Sequence, residues 1–463
     1  MPTGTPQNAQ PLTPSLLQLF GDRIEFTNQV GLPPSVSPSA HYDFAPRLGV
    51  SWNPRGWQRT VVRAGYGIFY TFPDTNLINN TVVTVPFVDN VNLFNDRPPN
   101  SPTRTIGDFF QGTPIAAANP NPGRPCPWGA VLISCDTPSI TSALAHLHQQ
   151  YTEQWNLSVE QQLAPRIALT LAYVGNRTLH LQQGIRRNDP PPGPGAIQGR
   201  RPFPQWGGIG LQEWGGKGNY NGLQTEIEFR EWHGLTLMGS YVFSKCLDNG
   251  TDEGSAPATQ LIGANYAVCD FDQTNTATAS FNYPLPFGKG KHFLSGANSF
   301  VNGIIGGWQL AGVNTFKSGL PFTPTITVDR ANTGAGGQHP QLVGTPQVQR
   351  NVGCWYYTSS NSSCVAQFSS THDAFAIPAI YTYGNAGRNI LRGDNLNQFD
   401  FTAMKEFPIT EATRLQFRAE FFNLFNHPVF ALPGASINAS SGGQVSSTLN
   451  SNRIIEFVLR LSF

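Results

Sequence analysis

Counted back from the end, the last eleven residues, RIIEFVLRLSF, place Phe463, Leu461, Leu459, Phe457 and Ile455 on one parity. Ser462, Arg460, Val458 and Glu456 fall on the other. A period of two puts alternate side chains on opposite faces of a strand, so this segment predicts one apolar face and one carrying both signs of charge. Similar alternation recurs at 44–52, 60–70, 151–163, 166–175, 220–231, 234–245, 271–285, 306–319, 397–407 and 413–425. In the second of these, Val62, Ala64, Tyr66, Ile68 and Tyr70 share a face. In the fifth, Leu223, Ile227 and Phe229 oppose Gln224, Glu226, Glu228 and Arg230. About eleven strands are expected.

Alternation alone suits a soluble sandwich as well as a membrane barrel. The links between strands separate the two. Shorter connections take turns with long polar segments at 71–150, 176–218, 246–270, 320–395 and 426–452. An up-and-down barrel in an outer membrane has short periplasmic turns and long extracellular loops, whereas the loops at the two ends of a sandwich are similar in length. With the C-terminus in the periplasm, all five long segments fall outside. The 286–305 link fits least well, being nearly as long as the loop beside it. The glycine-rich stretch GGIGLQEWGG (207–216) neither follows a predicted strand nor opens a helix, and reads as a flexible loop.

Composition narrows the class further. Charged residues make up 12% and the net charge is +1, which points to neither a disordered chain nor a basic nucleic-acid surface, so no nucleic-acid partner is expected. No run approaches the eighteen or so consecutive apolar residues of a membrane helix, while strands that alternate escape that test. With 47 Gly and 38 Pro for turns and only three Met, the chain reads as all-β. Residues 1–43 are expected to be a polar, Pro-rich loop or tail, and 44–463 the barrel. The start, MPTGTPQNAQPLTPS, lacks a charged region followed by an apolar core and cleavage site, so an exported protein is expected to begin upstream of it.

The six cysteines fall in pairs about the long segments: Cys126 with Cys135, Cys246 with Cys269, and Cys354 with Cys364. Local pairs outside the predicted strand interiors read as disulfides stapling loops in an oxidising compartment. The rival reading, metal binding, lacks both the two-residue spacing of a zinc knuckle and neighbouring histidines. His146 and His148 could share a strand face, but no carboxylate or Cys stands near them, and a solvated segment explains them better. Asp248, Asp252 and Glu253 form an oxygen-rich cluster with the wrong spacing for an EF-hand, and read as an acidic surface loop.

On the polar parity, Glu226, Glu228, Arg230, Arg418, Glu420, Glu456 and Arg460 are candidates to face a lumen and form cross-strand ion pairs. Tyr66, Tyr70, Trp155, Tyr173, Tyr241, Trp308 and Phe463 lie in or near predicted strand ends, as girdle aromatics at two lipid interfaces would. Neither a Ser/His/Asp constellation nor a phosphate-binding loop emerges, so neither enzyme activity nor a cofactor is expected.

Residues 384–430, GNAGRNILRGDNLNQFDFTAMKEFPITEATRLQFRAEFFNLFNHPVF, resemble the C-terminal barrel of the Oar-like TonB-dependent transporters. FAPRLGVSW (44–52), QWNLSVEQQL (154–163), YNGLQTEIEFRE (220–231), SGLPFTPT (318–325), DRANTG (329–334) and the terminal Phe463 resemble the same family in the same order. The resemblance implies an outer-membrane barrel surrounded by lipid, inserted by the barrel-assembly machinery through a C-terminal aromatic. It also implies an extracellular ligand taken up with energy from the TonB complex, which such transporters engage through a plug region absent from these residues. Because family barrels have 22 strands, about eleven are expected to be the C-terminal half of one. The alternative is a surface adhesion or secretion-related barrel without active uptake.

Overall fold

The structure, a computed structural model, describes residues 43–57, 59–71, 139–143, 149–204, 206–249, 265–410 and 412–463. Eleven strands follow one another as an antiparallel meander. They are β1 (Arg47–Trp52), β2 (Thr60–Tyr70), β3 (Tyr151–Ala164), β4 (Ile167–Arg186), β5 (Ile209–Trp232), β6 (Leu235–Asp248), β7 (Asn275–Pro284), β8 (Trp308–Lys317), β9 (Leu396–Pro408), β10 (Arg414–Phe422) and β11 (Ile454–Ser462). Two short strands join their sides: Ile140–Ala143 lies parallel to β5, and Ala267–Val268 lies antiparallel to β6. Each of the eleven predicted strands is present.

Register carries the sequence alternation across the sheet. Val50, Ala64, Leu157, Tyr173, Leu223 and Phe243 form one cross-strand row on the apolar face. On the other face Glu160, Thr170, Glu226, Ser240, Thr278, Thr315 and Gln398 form a row through seven strands. A one-residue slip anywhere would exchange the faces, so the two patterns hold each other in place. Among the described residues no second layer covers the apolar row, and Leu157, Leu223 and Phe243 are each about half exposed. Soluble folds bury such a face against another layer.

Among the described residues β1 and β11 each pair on one side only and every residue in both is exposed, so the described sheet ends in two open edges.

One prediction about connections needs correction. The 207–216 stretch is not a loop: from Ile209 it belongs to β5, which runs for 24 residues beside the 20 of β4. Its glycines leave room for the ladder, since Leu181 backbone and Cβ atoms lie where a Cβ on Gly216 would go. A strand needs about 9–11 residues to cross a hydrocarbon layer, and both strands of this hairpin are about twice that long. The 286–305 link, which fitted the rhythm of the connections least well, has structure of its own. It closes on itself around a helix, Ser299–Ile305, capped by the Asn298 side chain.

No helix among the described residues is long and apolar enough to cross a membrane.

Candidate functional site

The main buried cluster lies outside the sheet, in its long connections. The 318–395 connection contributes Phe322, Ile326, Trp355, Tyr356, Phe375 and Leu391, and the 423–453 connection contributes Ile437 and Val445. Polar contacts lock the two together. The Trp355 backbone N–H donates to Gly443 O (2.7 Å), Tyr356 Oη–H to Gly434 O (2.9 Å), and Asn361 Nδ2–H to Gly442 O (2.7 Å). Gly443 has a left-handed φ of +72°, and a Cβ there would sit 2.5 Å from the Tyr356 carbonyl oxygen, so only glycine fits.

The other described long connections are tied to this core. Asn332 Nδ2 donates to Gly193 O (2.9 Å) and Gly195 O (2.8 Å), and Arg186 Nη2 donates to Gly334 O (3.0 Å). Asn188, fully buried, folds the 187–208 connection by donating to the carbonyls of Phe203, Trp206 and Gly207 while accepting from the Phe203 N–H. On the far side, Arg392 meets the buried carboxylate of Asp272 at 2.6 Å. Arg388 pairs with Asp248 and with Asp270, the latter at 3.4 Å. The result is a cap made by the 187–208, 265–274, 318–395 and 423–453 segments, all at one end of the sheet.

Two disulfides staple this cap. Cys246–Cys269 closes the connection after β6, and Cys354–Cys364 closes a turn carrying the Ser362–Gln367 helix. Two of the three expected pairings are therefore present, with Cys246 near the end of β6 and not beyond it. Cys126 and Cys135 lie outside the described residues, as do His146, His148, Asp252 and Glu253. Asp248 is no solvated loop residue: it is 5% exposed and ion-paired, because Arg388 reaches it from 140 residues away.

The charged candidates on the polar face pair along strands and not across them. Arg230 meets Glu228 at 2.8 Å, and Arg418 meets Glu420 at 3.5 Å. Glu226 sits in the polar row, Glu456 stands opposite Glu420, and Arg460 stands opposite Gln416. Two cross-strand pairs on this face, Arg63 with Glu160 and Arg414 with Glu406 (3.2 Å), are ones the sequence reading missed. Arg388 and Arg392 were also missed, since nothing local marks their partners.

On the apolar face, Tyr66 stands opposite Trp155, and the Trp155 indole fills the space above Gly175. The hydroxyls of Tyr173 and Tyr241 donate to Asn221 and Asn275 (2.5 and 2.6 Å). Tyr70 packs against Tyr151, with ring centroids 5.7 Å apart. Phe463 is 96% exposed, just past β11.

In the cap, burial holds His339 below its ordinary pKa, against the hydrogen bond between its Nδ1 and the Ala386 carbonyl (2.7 Å). Burial likewise raises the hydroxyl pKa of Tyr356.

An outer membrane beta barrel domain model matches residues 4–456. Among solved structures, the outer-membrane transporter YddB from Escherichia coli aligns at 11% identity and a TM-score of 0.46, covering 90% of this chain and 40% of that one. The ferric-catecholate import receptor Fiu from Escherichia coli K12 aligns at 12% identity and 0.37, covering 90% of this chain and 34% of its own. BauA, the ferric preacinetobactin receptor from Acinetobacter baumannii, aligns at 12% and 0.39, with 90% and 36% covered. The chain thus spans two fifths or less of the length of these structures. No curated protein sequence matches it. The family match runs over nearly the whole sequence, and with it the chain belongs to the outer membrane β-barrel domain family, whose place is the outer membrane.

Proposed function

We propose that this chain is the barrel part of a TonB-dependent receptor that binds an extracellular ligand with its cap and imports it. The cap carries the reading. A cored, disulfide-stapled layer drawn from several connections and confined to one end of the sheet is a built surface, and preorganised loops on a rigid sheet are a common way to hold a binding site. Support also comes from the Oar-like phrase at 384–430, which supplies Ala386, Arg388, Leu391, Arg392 and Phe430 to the cap.

In this reading the apolar face meets lipid and the polar face, with Glu226, Glu228, Arg230, Arg418, Glu420, Glu456 and Arg460, lines the lumen. The open edges of β1 and β11 pair with further strands of the same barrel, since unpaired backbone in hydrocarbon is too costly. Phe463 is the residue read by the barrel-assembly machinery, residues 44–463 form one barrel unit, and TonB is engaged through a plug outside these residues.

Uptake is tested in the bacterium itself. Cells with and without the gene are compared for depletion of solutes from the medium, with and without a protonophore that collapses the inner-membrane gradient. Active import predicts gene-dependent depletion that the protonophore abolishes. Gene-dependent surface attachment with no such depletion would refute import and favour adhesion.

A further inference from the structure

The helix in the link between β7 and β8 has an unexplained position. Lys405 belongs to the apolar face of β9: it stands opposite Trp308 and Phe417 and shares parity with Phe399, Phe401 and Ala403. A lysine on that face would be expensive, yet it is only 4% exposed. Its Nζ donates to Ile304 O (3.1 Å) in the last turn of the Ser299–Ile305 helix and to O of Gly306, which caps it, and lies 5.2 and 5.0 Å from the ring centroids of Trp308 and Phe407. Trp308 Nε1–H also donates to Ile304 O (2.9 Å). These contacts clip the C-terminal end of the helix onto the apolar side of the sheet.

The link is rigid enough to hold that position. Gly288 has a φ of +118°, and a Cβ there would lie 2.8 Å from Gly306 Cα, so the link's two ends touch backbone to backbone. Asn302 Oδ1 accepts from the Lys289 N–H (2.7 Å) on the inward side of the helix. Phe300 and Ile304, four residues apart and thus on one face, are 77% and 57% exposed, and Ile305 beside them is 38% exposed. No protein packs over them among the described residues.

We propose that this link is a membrane anchor: clipped to the lipid-facing wall by Lys405 and Trp308, its helix sinks Phe300, Ile304 and Ile305 into the phospholipid of the periplasmic leaflet. The occupant follows from continuity, because the helix extends the apolar wall outward at the short-link end of the sheet, where the headgroup boundary lies. Exposed Lys289 and Lys291 on the same link add positive charge suited to lipid phosphates. The inference rests on the reading that the apolar face meets lipid.

The test uses the protein as its host makes it, in vesicles of phosphatidylethanolamine and phosphatidylglycerol. An environment-sensitive fluorophore is attached at Phe300→Cys, Ile304→Cys, Phe457→Cys or Lys289→Cys, and nitroxide-labelled lipid serves as quencher. Phe457, exposed on the apolar face of β11, reports the wall itself. With the nitroxide on the acyl chain, the anchor predicts quenching at 300 and 304 as strong as at 457, and weaker quenching at 289, which stays at the headgroups. Quenching at 457 with water-like emission at 300 and 304 would overturn the anchor and leave the barrel reading standing. Water-like emission at 457 would overturn the lipid-facing assignment and the anchor with it.

Discussion

Replacing Trp355 with alanine should loosen the cap and leave the sheet intact. The indole is 1% exposed in the 318–395 connection and packs at 6.5 Å, edge to face, on Phe430 of the 423–453 connection. Its Nε1–H donates to Arg392 O at 2.8 Å. Truncating a buried aromatic of this size costs about 3–5 kcal/mol, through lost transfer energy and the cavity left behind. Roughly 1 kcal/mol of that is the hydrogen bond, so Trp355→Phe, which keeps most of the ring volume, should cost about 1–2 kcal/mol. Because the cluster lies outside the sheet, the loss should be local. Hydrogen exchange read by mass spectrometry on membrane-embedded protein checks this. A loss of that size speeds exchange by about 100- to 5000-fold in peptides from both 320–395 and 426–450, if they open as one unit. The β2–β5 ladder should be unchanged. Equal acceleration in that ladder, or none in 426–450, would refute the idea of a separately cored cap.

The remaining predictions concern the staples, the ion pairs and acid. Loop-closure entropy makes Cys246–Cys269, with a separation of 23, worth about 3.4 kcal/mol and Cys354–Cys364, with a separation of 10, about 2.7 kcal/mol. Paired Cys→Ser variants compared by protease cleavage of the cap should rank in that order, and a reversed order would show that packing outweighs chain entropy. Arg392→Ala strands the buried Asp272 carboxylate and should cost about 3–5 kcal/mol, while the double variant with Asp272→Asn recovers part of it; an additive double variant would mean the pair is not coupled. His339 has a folded pKa below its ordinary 6.5, so between the two values the unfolded cap binds more protons. Its contribution is therefore complete above that window and falls as pH drops through it. His339→Gln should flatten the acid dependence of cap exchange over that range, and an unchanged profile would assign the acid effect elsewhere.

The sheet was legible because a face pattern repeats within each strand. Alternation such as Leu223, Ile227 and Phe229 against Glu226, Glu228 and Arg230 needs no distant partner to be read. Errors arose where pairing overrides local signal: β5 continues through glycines that β4 happens to accommodate, and the Ser299–Ile305 helix spans too few residues to show a period. The cysteine pairs could be read because their partners are near in sequence. The cap core could not, since Trp355, Tyr356, Ile437 and Val445 come from aperiodic connections, and Arg388 finds Asp248 across the width of several strands. Lys405 shows the same limit: on parity alone it is a charge facing lipid, and only the folded link satisfies it.

Which end of the sheet faces the medium decides whether the cap can meet an extracellular ligand. Single cysteines at the exposed positions Ser370, in the cap, and Lys291, in the β7–β8 link, can be probed on intact cells with a membrane-impermeant maleimide. A cap on the outer side predicts labelling of Ser370→Cys in intact cells and of Lys291→Cys only after the outer membrane is permeabilised. Labelling of Lys291→Cys in intact cells, with Ser370→Cys protected, would invert the topology and remove the cap from the ligand's side.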